Sequence, residues 1–167
     1  MFWYWFFAGP ALALAVLSLR GERRRAAYIL RTLSEPAKDL PPASVIVPLK
    51  GPEEGLRENL EALASLDYPD YELVVAARSA ADIPPGVLPR RLKVTLAHGA
   101  DANTAEKIQN LAAAVRATRR RSRILAFADS DVRVTRRWLR ALAAPLAEPG
   151  VGAVTGYRWF LPAPPTF

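Results

Sequence analysis

The residues best equipped for chemistry are Asp129 and Asp131, two carboxylates separated by a single serine at the end of the apolar run Ile124 to Ala128. Two acids this close repel each other unless a cation lies between them. Oxygen ligands of this kind suit Mg²⁺ or Mn²⁺, which commonly bind through one or two carboxylates together with substrate phosphates. The run before them is short, apolar on both faces and bounded by charge, the pattern of a buried strand in an α/β sheet. Ligands of such sheets bind at the carboxyl ends of the strands, where this pair falls. The same spacing also suits a solvated loop in which Asp129 or Asp131 caps a following turn.

The elements that must position the pair can be read around it. Ser44 to Leu49 is a β-branched run and a first strand, broken by Lys50-Gly51-Pro52. Glu53 to Leu66 follows as a helix, with Leu56, Leu60 and Leu63 on one face and Glu54, Arg57, Glu58 and Glu61 mostly outside. Asp67-Tyr68-Pro69-Asp70 is a turn, Tyr71 to Ala77 a second strand, Arg78 to Arg91 a loop and Leu92 to Ala97 a third strand. After a loop from His98 to Asn103, a helix over Thr104 to Arg119 is expected to bury Ile108, Leu111, Ala112 and Val115. Beyond the aspartates, Thr135 is placed as the cap of a helix through Leu146, and Val151 to Gly156 as another strand. Strands alternating with helices predict a mostly parallel sheet with right-handed crossovers.

The N-terminus is of another kind. Residues 2–19 carry no charge and are followed at once by Arg20, Glu22, Arg23, Arg24 and Arg25. About 18 apolar residues is the lower limit for a membrane span, and the cluster Phe2 to Phe7 resembles an interfacial aromatic belt. A signal peptide has its charges before the apolar core; here the order is reversed, which predicts an uncleaved single-pass anchor over residues 1–20. The excess of arginine puts the residues after it in the cytoplasm. Residues 21–43 read as a basic juxtamembrane connector, its Arg20 to Arg31 part an amphipathic helix on anionic headgroups, leaving 44–167 as the α/β domain. The Arg20 to Arg31 cluster explains much of the net charge of +7, without the alternation of basic and aromatic residues that a nucleic-acid platform needs. The chain has no cysteine, which excludes disulfides and thiolate metal sites.

Val45-Ile46-Val47-Pro48-Leu49-Lys50-Gly51, Glu58-Asn59-Leu60 and Leu66 to Leu73 together resemble the opening of ceramide glucosyltransferase-like enzymes. These are membrane-bound inverting glycosyltransferases of the GT-A fold, close to glycosyltransferase family 2. Asn103 to Leu111 is similar to their K-x-x-N segment, and Phe127 to Val134 to their D-x-D region. The resemblance implies a Rossmann-like, mostly parallel GT-A sheet forming the donor-binding half, C-terminally incomplete, after one N-terminal transmembrane helix. It implies a nucleotide-sugar donor, UDP-linked, and a lipid acceptor such as ceramide or a hopanoid-type lipid, with the bacterial inner membrane as location. Pro48, Leu49 and Lys50 would then border the nucleotide, with Lys107 and Asn110 beside it. Asp131 would ligate a divalent metal, Mg or Mn, on the diphosphate, and Asp129 would lie near the ribose or the metal.

Two features depart from that pattern. The acid that family members carry soon after the second strand is represented only by Asp82, several residues late. No residue is assigned as catalytic base: His98 is placed in a loop with a solvated or structural role, Arg158-Trp159 comes too early for the family's Q/R-x-x-R-W segment, and the base is expected beyond Phe167. Two other readings stay open, an inactive membrane-tethered nucleotide-binding module and a nucleotidyltransferase. The second of these expects a Gly-rich phosphate loop after the first strand, and Pro48 to Gly55 is not one.

Overall fold

Every residue of Ala43–Leu49 is buried, and this strand, β1, is the centre of the sheet. The computed structural model describes residues 2–34, 40–90, 92–97 and 103–156; His98, Asp101, Glu35-Pro36 and Arg158-Trp159 lie outside them. The chain divides into two units, Met1–Pro36 and Ala37–Phe167.

In the second unit β1 is followed by α2 (Leu56–Ala64), β2 (Tyr71–Ala77), β3 (Lys93–Leu96), α3 (Glu106–Ala117), β4 (Ile124–Phe127) and α4 (Trp138–Ala143). The sheet has the order β3-β2-β1-β4 and all its pairings are parallel. This is the Rossmann-like parallel α/β architecture that the alternation of strands and helices predicts. One face buries Val45, Val47, Leu73 and Val75 against Leu56, Leu60 and Leu63 of α2 and Leu139 of α4. The other buries Ile46, Val74 and Ala76 against Ala114 and Leu111 of α3. At about 1.5–3 kcal/mol for each large aliphatic side chain fully buried, β1 and β2 with their helix partners are the chief source of stability.

The ends of the strands opposite Asp129 are tied by charge. Glu72 accepts hydrogen bonds from the buried Ser44 hydroxyl and the Arg119 backbone, both at 2.6 Å, and Arg119 reaches Asp70 at 3.0 Å. Tyr71 donates to the Leu63 carbonyl and accepts from Leu66 N–H, holding the end of α2. Burial pushes the Tyr71 hydroxyl above its ordinary pKa of 10.0, against the smaller opposing effect of the Leu66 bond. The folded state therefore keeps Tyr71 neutral where the unfolded chain already ionises it. Stability is expected to be at full value below pH 10 and to fall as pH rises through the raised folded value, which urea titrations at pH 8 to 11 would read.

Several boundaries differ from the sequence expectation for identifiable reasons. Helix α2 starts at Leu56, not Glu53, because Pro52 precedes it and Gly55 takes a left-handed conformation, φ 70°, at its start. Helix α3 is shorter than Thr104 to Arg119, and Ile108 and Val115 are exposed while Asn110 and Ala114 are buried. Thr135 does not cap α4, whose N-cap is Arg137, and the α-helix gives way at Ala144 to a 3₁₀ turn containing Pro145, which lacks an N–H to continue it. Val151 to Gly156 is not a strand, having no ladder partner among the described residues.

In the first unit, α1 runs unbroken from Phe2 to Ser34, 33 residues. One helix carries both the apolar stretch and the arginine-rich stretch that follows it. Arg, Glu, Ala and Leu are all strong helix formers, Glu22 and Arg25 pair at 3.2 Å one turn apart, and Gly21 alone does not interrupt them. The stretch Trp3–Arg31 is long and apolar enough to cross a membrane, and Leu12, Leu14, Leu17 and Leu19 are all exposed.

Candidate functional site

From β1 the chain steps outward through β2 to β3, then returns to pair β4 on the other side of β1, with Ile46 opposite Phe127. The strand order thus reverses between β1 and β4, and ligands of open parallel sheets bind in the crevice at such a reversal. A cavity of about 380 Å³ opens there. Its walls are Pro48, Leu49 and Lys50 at the end of β1, Glu53 in the turn beyond, Glu106, Lys107 and Asn110 in the first turns of α3, and Asp129, Ser130 and Asp131 after β4.

Local structure explains why these side chains meet. Ala128 N–H continues the β1 ladder by donating to Ile46 at 3.0 Å, so the chain leaves the sheet only at Asp129. A turn follows, in which Val132 N–H donates to the Asp129 carbonyl at 3.4 Å. Ser130 is buried, its carbonyl accepting from the Asn59 amide of α2 at 3.0 Å. Asp129 and Asp131 flank this fixed residue, the first partly buried and the second exposed.

Charge is arranged in pairs across elements. Lys107 of α3 donates to Asp129 at 2.5 Å, and Lys50 lies 3.4 Å from Glu106. Both ammonium groups are more than half exposed, so each pair contributes no more than about 0.2–1 kcal/mol and exchanges readily for a better partner. With two lysines against four carboxylates, the cavity wall is acidic on balance. Asn110 is 2% exposed and its Oδ1 has no hydrogen-bond partner among the described residues. A buried acceptor left open on a cavity wall can be completed by a ligand or by ordered water entering the cavity.

Of the residues expected to bind donor or metal, Pro48, Leu49, Lys50, Lys107, Asn110, Asp129 and Asp131 all line this one cavity. Asp82 does not. Its carboxylate accepts from the Ser79 backbone and hydroxyl, both at 2.9 Å, closing a 3₁₀ turn, while its carbonyl braces Gly51 N–H at 2.9 Å. Sequence reasoning missed Glu53, which it placed inside a helix, Glu106, and the Asn59 contact. For Asn59 the signal existed: Leu56, Asn59, Leu60 and Leu63 share the helical spacing of one buried face, and the only polar residue in that stripe is Asn59.

The donor set suits a divalent cation of one particular kind. Among the described residues no three acidic, histidine or cysteine side chains come together as a cage. Asp129 and Asp131 supply two carboxylates on one short turn, which matches ions that complete their shell with water and ligand phosphates.

Residues 3–161 match the sequence model of glycosyl transferase family 21. The chain belongs to that family. The match takes in α1 as well as the sheet, so the family 21 pattern reaches further toward the N-terminus than the resemblance carried by residues 44 to 160. A comparison with curated proteins finds no match. Among solved structures, a mannosyltransferase from Pyrobaculum calidifontis, PcManGT in complex with GDP-Man and Mn²⁺, aligns with a TM-score of 0.56 at 24% identity. The alignment covers 85% of this chain and 44% of the mannosyltransferase, so the family 21 chain spans less than half its length. At that identity the likeness bears on the fold, which is that of GT-A glycosyltransferases.

Proposed function

We propose that the chain is the donor-binding part of a membrane-anchored inverting glycosyltransferase that moves a sugar from a nucleotide-sugar, UDP-linked, to a lipid acceptor such as ceramide or a hopanoid-type lipid. The observation that carries this reading is the convergence of Lys50, Lys107, Asn110, Asp129 and Asp131 on one cavity at the strand-order reversal. In this reading α1 crosses the membrane, with its arginines and the sheet domain on the cytoplasmic side. A lipid acceptor follows from having the site tethered at the bilayer surface.

Each wall residue then has a task. The exposed Lys50 and Lys107 leave their acidic partners and turn toward the phosphates, where charge accumulates as the glycosidic bond breaks. Asp131, with Asp129, holds a divalent cation, which when bound supplies positive charge to the departing diphosphate. Asn110 Oδ1 accepts from a hydroxyl or N–H of the nucleoside or sugar, since an acceptor cannot face a phosphate oxygen. Pro48 and Leu49 give the nucleotide a rigid, partly apolar edge. An acidic wall repels a bare diphosphate, so donor binding should depend on the cation.

The test is thermal unfolding of the detergent-solubilised chain with UDP-glucose, UDP-galactose, UDP-N-acetylglucosamine or GDP-mannose, each with and without Mn²⁺ or Mg²⁺. A donor at about a hundred times its Kd adds about 2.7 kcal/mol, a shift of several degrees that should need both components. A UDP-sugar should give the larger response, and no metal-dependent shift with any donor would reject the reading. Asn110→Leu keeps the branched shape and removes the open acceptor. It should leave the unliganded protein as stable as before or more so, yet weaken donor binding about tenfold, the worth of one hydrogen bond.

A further inference from the structure

We propose that Asn59 is a positioning residue for the Asp129–Asp131 turn, acting through the backbone of the serine between the two aspartates. The inference rests on the reading of that turn as the metal-holding element. Asn59 lies on α2, far from the turn in sequence, and is 6% exposed within a stripe of leucines. A polar side chain in such a stripe is unfavourable unless bonded. Its Nδ2 donates to the Ser130 carbonyl at 3.0 Å, and Ser130 is itself buried.

Lys107 of α3 holds the Asp129 carboxylate, and the backbone of the turn has its own ties. Ala128 N–H fixes its entry on β1, and the long Val132 bond to Asp129 closes it on itself. The only side chain that reaches the backbone between the aspartates, among the described residues, is Asn59. Core packing around Leu60 and Leu63 makes α2 rigid against the sheet, so the amide arrives from a fixed platform. With Ser130 held, its neighbours Asp129 and Asp131 line the cavity on either side of it. Freed from Asn59, the carbonyl would turn to water, and the two carboxylates would no longer be held at one separation. Charged ligands are sensitive to such loosening, because metal affinity depends on supporting contacts as well as on the ligands.

Asn59→Leu and Asn59→Asp both remove the donor, the second with nearly unchanged shape. Leu60→Val, on the same helix but away from the turn, controls for a general loss of stability. Amide hydrogen exchange on the whole detergent-solubilised chain reads the turn directly. Exchange over residues 128–134 should quicken about tenfold in both Asn59 variants relative to the control, while exchange in β1 and β2 changes no more than it does in Leu60→Val. Mn²⁺ titration in the presence of UDP, with free Mn²⁺ read by electron paramagnetic resonance, should show about tenfold weaker binding in the Asn59 variants and an unchanged value in Leu60→Val. If Asn59→Leu does not fold, Asn59→Asp supplies both readings. Exchange in the turn that matches the control would overturn the positioning role. A wild-type chain that takes up no Mn²⁺ with UDP or GDP would overturn the proposed function instead, and the exchange comparison would still decide the role of Asn59.

Discussion

Asp131→Asn is expected to abolish the metal-dependent stabilisation by a nucleotide-sugar while leaving the unliganded protein as stable as the wild type. Asp131 is exposed and makes no ion pair or hydrogen bond among the described residues, so folding does not draw on its charge. Asparagine keeps the size and one carbonyl oxygen but loses the negative charge that a hard divalent cation requires. A loss of at least about a hundredfold in donor affinity, roughly 2.7 kcal/mol, should follow, enough to erase the shift at any practical concentration. Asp129→Asn should be milder. In the unliganded protein the Lys107 ammonium already occupies Asp129 at 2.5 Å, and removing that carboxylate releases the lysine for the phosphates as it removes a metal ligand. An Asp131→Asn protein with an undiminished Mn²⁺-dependent shift would reject Asp131 as a ligand.

How much of this arrangement can be read from residues alone depends on how each feature is encoded. Strand β2 was legible to the residue, Tyr71–Ala77, because a turn rich in Asp and Pro precedes a run buried on both faces. The acidic turn was legible because a buried strand ending in two carboxylates has few places to go but the carboxyl edge of the sheet. Helix α3 misled. Its Ala112-Ala113-Ala114 segment gives no strong face, and the larger Ile108 and Val115 suggested one that the structure leaves exposed; the sheet takes Leu111, as expected, together with Ala114, whose small side chain allows close approach. Asp82 misled differently: Ser79-Ala80-Ala81-Asp82 has the spacing of a capping box, and its carboxylate turns back on Ser79 instead of facing the cavity. Glu53 and Glu106 reach the cavity only because Gly55 delays α2 and α3 begins beside the end of β1. Those are consequences of packing, which a single sequence encodes only through all its residues together.

Leu12→Arg combined with Leu14→Arg is expected to release the chain from membranes, moving it from the carbonate-resistant pellet to the supernatant. The uncharged stretch, residues 2–19, is at the short limit for a span, so little apolar surplus exists to absorb a charge. Both positions are exposed on α1 near the middle of that stretch, with no described residue packed over them. Each arginine at the centre of a span costs about 2.5–3.5 kcal/mol, and each leucine removed forfeits a further few tenths. Together they shift the insertion equilibrium by roughly four to six orders of magnitude. In the proposed topology Arg20, Arg23 and Arg24 carry no such cost, because α1 continues past the apolar stretch as an unbroken helix and would carry them out to the headgroups. Replacing those three by glutamine should leave the chain in the pellet but randomise its orientation, so that protease added to sealed inside-out vesicles digests only part of the sheet domain instead of all of it. Retention of the double-arginine chain in the pellet would mean that membrane attachment does not run through α1, and the lipid-acceptor reading would lose the tether on which it depends.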